Sequence, residues 1–284
     1  MWRMWGLALT MLMSASGATV EQVAKMLADP PAEARIMMRW WWFGPAVTRQ
    51  ELARELEAMK AAGIGGVEIQ PVYPLTLDDP ENGVRNLRFV SKEFLEALEF
   101  ASRKGRELGL RVDVTLGSGW PFGGPKIPRE LAAKRLRVEP LGRAPQLRWG
   151  ERVVGEYPEA GLRFIESQTG QMVKRAVGGA EGFVIDHYSR EALNRYLETV
   201  GGPLLNALRS APPYAIFCDS LEVYGADWTT DLPQEFQRRR GYDLMPHLPA
   251  LVGEWNEDKA RIRHDWALTL TELAEERFLK PLWE

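Results

Sequence analysis

Two rhythms of apolar and polar residues alternate along this chain, and the change between them predicts its layout. Arg35 to Phe43, Gly66 to Gln70, Arg111 to Leu116 and Tyr214 to Phe217 are short, β-prone runs rich in apolar residues. Such runs suit strands of a buried parallel sheet. Between them the spacing becomes helical. Thr48, with Glu51 three residues on, reads as a capping box, and Leu52, Leu56 and Met59 follow on one face as far as Gly63. Ser91 starts another helix, with Glu93 in its first turn, Phe94, Leu95, Leu98, Ala101 and Leu108 at helical spacing, and Gly109 as its stop. A shorter helix is predicted over Thr19 to Ala28, ended by Pro30-Pro31. Strands and helices in this alternation predict βα units and a parallel sheet.

The rhythm breaks at Arg135. As far as Ile185, polar and apolar residues alternate between Gly and Pro, as in Leu136-Arg137-Val138, Arg152-Val153-Val154, Leu162-Arg163-Phe164-Ile165 and Met172-Val173-Lys174. That predicts a small antiparallel β insertion. Helical spacing returns at Ser189, again around Pro233 to Arg240, and from about Glu257 to Leu279. The expected fold class is α/β: an incomplete (β/α)8 barrel of the TIM type, with about four βα units and the insertion. Half a barrel leaves open sheet edges, so a truncated barrel belonging to a longer protein is favoured. The expected layout is a signal peptide over 1–18, a first barrel part over 19–134, the insertion over 135–185 and a truncated barrel continuation over 186–284.

Composition changes this picture little. The 284 residues are 45% hydrophobic and 26% charged, with a net charge of -3, as in an ordinary soluble globular chain. No Lys/Arg face points to nucleic acid, and Arg238-Arg239-Arg240 reads as the solvated end of a helix. The N-terminus adds more. One positive charge at Arg3, an apolar stretch from Gly6 to Met13 and the small residues Ser16-Gly17-Ala18 predict a secretory signal cleaved near Ala18. The protein is therefore expected to be secreted or periplasmic, with no segment long enough to span a membrane. The sequence leaves the oligomeric state open. Cys218 is the one cysteine, so no internal disulfide forms, and it reads as a small buried hydrophobe. His187, His247 and His264 include no i,i+4 pair for a metal.

Candidate chemistry gathers at the strand ends. Tyr214 to Phe217 runs into Cys218-Asp219-Ser220-Leu221-Glu222, two carboxylates three residues apart at the rim where barrels build active sites. The other strands deliver Trp40-Trp41-Trp42, Glu68 and the turn Gly119-Trp120. Carboxylates beside aromatic planes suit a sugar, which offers hydroxyls to acids and an apolar face to a ring. Glycosidic cleavage needs one carboxylic acid to protonate the leaving oxygen and a second carboxylate to act on the anomeric carbon or on water. Glu222 is the candidate acid. Asp219 would hold a hydroxyl, orient a neighbour or help bind a cation, or else serve an Asx turn. Glu68 is a sugar ligand or an ion-pair member. Side chains alternate along a strand, so either Trp41 alone or Trp40 with Trp42 faces the pocket. Trp120 stands on a glycine-rich turn whose Pro121 and Pro125 rule out a dinucleotide loop. His187 contacts a sugar hydroxyl or serves the start of a helix.

Several of these motifs occur together in one family. Arg39-Trp40-Trp41-Trp42, Gly66-Val67-Glu68-Ile69, Leu116 to Pro125, Asp186-His187-Tyr188-Ser189, Cys218 to Tyr224 and Arg239 to Leu244 resemble glycoside hydrolase family 106, the α-L-rhamnosidases. The resemblance covers the chain from about Arg35 onward. It implies a (β/α)8 catalytic domain, inverting hydrolysis of terminal α-L-rhamnose from polysaccharides or glycosides, calcium dependence with ligands not located, and a longer protein. Two departures follow. Leu221 stands where an aromatic is expected. The family's second catalytic glutamate has no counterpart, since Glu254, Glu257, Glu272, Glu275 and Glu276 fall on or beside the long helix. The expected function is a rhamnosidase-like hydrolase, inactive if its base is missing. The alternative is a non-catalytic carbohydrate-binding fragment.

Overall fold

The computed structural model describes residues 18–31, 34–254 and 256–284, so the predicted signal peptide lies, apart from Ala18, outside the described residues. Strands β1 (Met37–Phe43), β2 (Gly66–Val72), β3 (Arg111–Thr115), β4 (Gly123–Gly124), β5 (Lys134–Pro140), β6 (Arg152–Tyr157), β7 (Leu162–Gln168), β8 (Phe183–Val184) and β9 (Ala215–Phe217) form three sheets among the described residues. The largest is parallel, in the order β1-β2-β3-β9. Chain-order pairing of parallel strands is the arrangement predicted from the four apolar runs. The described residues leave this sheet open, with β1 and β9 at its edges.

Register sorts the side chains into rows. Arg39 lies opposite Glu68, Glu68 opposite Asp113, and Asp113 opposite Ala215. Two positions on, Trp41 pairs with Gln70, and Thr115 with Phe217. Alternation gives the other face to Trp40, Trp42, Val67, Ile69, Val112 and Val114, all buried. These form one core with Leu52 and Leu56 of α2 (Arg49–Ala61) and Phe94 and Leu98 of α3 (Lys92–Glu107). Trp42 meets Phe94 edge-on at 6.4 Å. The predicted capping box of α2 is half formed: Thr48 Oγ1 accepts from the Glu51 amide at 3.2 Å, while the Glu51 carboxylate turns to Arg54 at 2.7 Å. The complete reciprocal box caps α1 (Val20–Ala28), between Thr19 and Gln22.

The predicted insertion is present as the antiparallel sheet β5-β7-β6. Its Phe164 enters a second core with Trp228, Leu244 and Leu248, joined by Leu232 and Phe236 of the helix Leu232–Arg240. Met172-Val173-Lys174 departs from expectation. It is no strand but a short strap touching Phe183 and Trp120 through single bridges. Gly170 and Arg175 have φ of 73° and 59°, and such left-handed residues at both ends turn the chain before a ladder can extend.

The segment after Ser189 folds as α4 (Arg190–Tyr196), a π-turn over Leu197–Gly201 and α5 (Gly202–Ala207). Leu232–Arg240, now α6, packs on α7 (Glu257–Ala274), which continues through a π-turn into α8 (Lys280–Trp283). The basic run at the end of α6 is only in part a solvated face: Arg238 is exposed, as expected, but Arg239 and Arg240 are drawn into ion pairs. Arg239 pairs with Glu235, Glu272 and Glu276, and Arg240 with Glu272, so these two clasp α6 to α7 and its continuation. Sequence shows the run, but only packing brings the opposing glutamates within reach.

Candidate functional site

Two of the predicted residues, Glu68 and Asp219, meet on one guanidinium, but Glu68 lies in the first half of β2 rather than at the strand end expected for it, while Asp219 stands just beyond β9. Arg39 Nε donates to Glu68 at 3.0 Å and its Nη1 to Asp219 at 3.4 Å, while its guanidinium lies 4.6 Å from the centre of the Phe217 ring. Glu68 is buried and also accepts from the Thr115 hydroxyl at 3.1 Å. Thr115 bonds Gln70 too, and Gln70 Nε2 donates to the Gly119 carbonyl at 3.3 Å. A polar chain thus links β1, β2 and β3 to the Trp120 turn.

The aromatic half of the rim follows from alternation. Trp41 is the tryptophan of β1 that turns to this side, with its ring 6.3 Å from that of Trp120. Both are half-buried, leaving part of each ring open. Gly119, at φ 60°, lets the chain turn beneath Trp120. A Cβ there would lie 2.0 Å from the Lys174 carbonyl, so the close approach needs glycine.

Glu222 stands on the exposed loop after β9, and its partners are local. Lys174 Nζ donates to its Oε2 at 2.5 Å, Ser220 Oγ to its Oε1 at 3.0 Å, and the Tyr224 hydroxyl lies 3.3 Å from Oε2. The Lys174 ammonium, with help from Ser220, holds this carboxyl below the usual range. A general acid needs the opposite shift. Asp219 Oδ1 meanwhile accepts from the amide of the next residue, Ser220, at 2.8 Å, a local bond that is not the Asx turn weighed for it, which would reach two residues on.

His187 is not brought to this rim. It is buried, with its ring 5.7 Å from Phe278, and burial lowers its pKa to about 4. Its neighbour Asp186 is buried as well, accepting from Thr229 at 2.8 Å and from the Tyr188 amide at 2.9 Å, while Ser189 caps α4. The Asp186-His187-Tyr188-Ser189 motif is therefore a joint between strand and helix. Cys218 is half-buried against the first core, and its partial burial, helped by the nearby Asp219 charge, pushes its thiol up to about 11, which suits an inert side chain.

Lys174, Gln171 and Tyr224 were not foreseen as site residues. No spacing signal marks them, because the strap reaches Glu222 only through the fold of the insertion. A concavity of about 880 Å³ lies between α3 and α5 and includes none of the rim carboxylates. The chemistry follows the rim rather than the volume.

Among the described residues no three His, Cys, Asp or Glu side chains converge to hold a metal ion. Glu68 and Asp219 are already paired with Arg39, and Glu222 with Lys174.

Parallel strands with a rim of carboxylates and facing tryptophans define an α/β protein suited to a carbohydrate. The chain belongs to the α-L-rhamnosidase family of glycoside hydrolases, Glyco_hydro_106, whose profile matches residues 28–158 and 154–283. A rhamnosidase from Novosphingobium sp. PP1Y shares the fold, with a TM-score of 0.72 at 16% identity over 89% of this chain and 45% of that one. A Formosa agariphila protein named "Putative beta-glucuronidase" is 23% identical over 329 aligned residues, covering 86% of this chain and 28% of that protein. The chain thus spans less than half the length of either relative.

Proposed function

We propose that this chain carries the sugar-binding rim and the proton donor of a hydrolase that removes terminal α-L-rhamnose from polysaccharides or glycosides with inversion. The observation that carries the reading is the grouping of Glu68 and Asp219 on one guanidinium, beside the Trp41–Trp120 pair, in a chain of this family. In this reading the sugar lays its apolar face on the tryptophans and its hydroxyls on Glu68 and Asp219. Glu222 protonates the glycosidic oxygen as the bond breaks through an oxocarbenium-like state. Water attacks from the opposite face and gives its proton to a second carboxylate, which inverting enzymes place about 6.5–9.5 Å from the first. No described residue is assigned that second role. The reading carries with it the export expected from the N-terminal segment.

A second reading, sugar binding without turnover, is favoured by the state of Glu222 itself, which Lys174 holds ionised. One experiment separates the two: hydrolysis of an aryl α-L-rhamnoside by the purified chain, with and without calcium, beside Glu222→Gln. Release that disappears in the variant supports the hydrolase. Rhamnose binding by calorimetry without release supports the binding reading, and neither binding nor release overturns both.

A further inference from the structure

The strap Gln171–Arg175 lies against the loop that bears Glu222, and every group on it that faces this loop is engaged. Gln171 uses its whole amide: Nε2 donates to the Glu222 carbonyl at 2.5 Å, and Oε1 accepts from the Tyr224 amide at 2.9 Å. One side chain thus grips the backbone on both sides of Val223, as a neighbouring strand would. Beneath it, Val173 forms a small apolar cluster with Ala133 and Val184, against which Val223 and Ala226 pack. Lys174 is tied to the Trp120 turn by paired backbone bonds, its amide donating to the Trp120 carbonyl at 2.7 Å and its carbonyl accepting from the Trp120 amide at 3.0 Å. Its ammonium reaches over the Tyr224 ring, 4.2 Å from the centroid, to Glu222 Oε2 at 2.5 Å. The strap therefore joins the Trp120 turn and the Glu222 loop as one unit.

We propose that Gln171 and Lys174 are positioning residues for the reaction. Gln171 fixes the loop backbone, and Lys174 pairs with the Glu222 carboxylate in the free protein and must release it before Glu222 can donate a proton. The inference rests on the reading of Glu222 as the acid. Chemistry requires the release, because an ammonium in contact stabilises the deprotonated form, the wrong one for an acid. The charged and titratable groups facing Glu222 are Lys174 from the strap and Tyr224 from its own loop. Arg39 pairs with Asp219.

The test follows the Glu222 carboxyl by carbon-13 NMR titration of the full chain, a readout independent of turnover. Lys174→Met should move its titration upward to the ordinary glutamate range, and Lys174→Arg, which keeps the charge, should hold it down. Where turnover is measurable, the acid must be protonated, so Lys174→Met should also carry the alkaline limb of kcat/KM to higher pH. An unmoved Glu222 titration in Lys174→Met overturns the role of Lys174. Gln171→Leu should speed hydrogen exchange at the Tyr224 amide at least tenfold, and an unchanged rate overturns the role of Gln171. Full turnover in Glu222→Gln would remove the acid assignment instead, so the two failures show in different measurements.

Discussion

Glu68 and Asp219 share one guanidinium: Arg39 reaches the first from its Nε and the second from its Nη1. The two carboxylates come from elements two places apart in the sheet, so Arg39 fixes their separation. Replacing it with Met leaves Glu68 buried with only a neutral hydroxyl partner. A buried charge stripped of its ion pair is costly, and partial exposure of Arg39 tempers the loss to about 2 kcal/mol. Arg39→Met should lower the urea midpoint accordingly and weaken sugar binding, whereas Arg39→Lys should recover part of both. An unchanged midpoint would mean that Glu68 finds another partner.

Gly119 is the tightest contact under the site. Ala there would combine a strained φ of 60° with a Cβ pressed on the Lys174 carbonyl. Gly119→Ala should cost about 1–3 kcal/mol in thermal stability and change the fluorescence of Trp120, because the bonds to Lys174 must lengthen. A variant with native melting and emission would show that the turn relaxes freely.

His187 gives stability a pH dependence of known sign. Burial keeps it neutral in the folded protein down to about pH 4, whereas an unfolded chain takes up the proton near pH 6.5. The unfolded state binds more protons between these limits, so acidification through that window favours unfolding, by about 3 kcal/mol in all. His187→Gln removes this contribution. The difference between the two proteins in urea stability should be pH-independent above about pH 6.5 and shift steadily in the variant's favour as pH falls toward 4. Parallel stability profiles would show that His187 is hydrated when folded.

The sequence was most legible where one physical requirement decided the pattern. Gly66 to Gln70 read as a strand because a central parallel strand is covered on both faces, Tyr214 to Phe217 read as one although it lies half-exposed at the sheet edge, and the alternation after Arg135 announced the insertion. Trp41 alone faces the rim, one of the two options that strand periodicity allowed. Relations between distant segments were not legible. Arg238-Arg239-Arg240 looked like a solvated run because its glutamates on α7 and beyond are remote in sequence. Lys174 looked like part of a strand, and nothing near it in the chain announces Glu222. His187 looked like a rim residue, since its cover of Phe278 comes from the far end of the described chain.

The open parallel sheet has a direction, and that direction constrains whatever meets it. Along β9 one side is paired with β3, while no described strand pairs with the other. A parallel strand docking on that free side must point the same way as Ala215 to Phe217. Its last residues would then emerge on the same side of the sheet as Asp219 and Glu222. A strand bound there in parallel would therefore deliver its own terminal side chains to the rim.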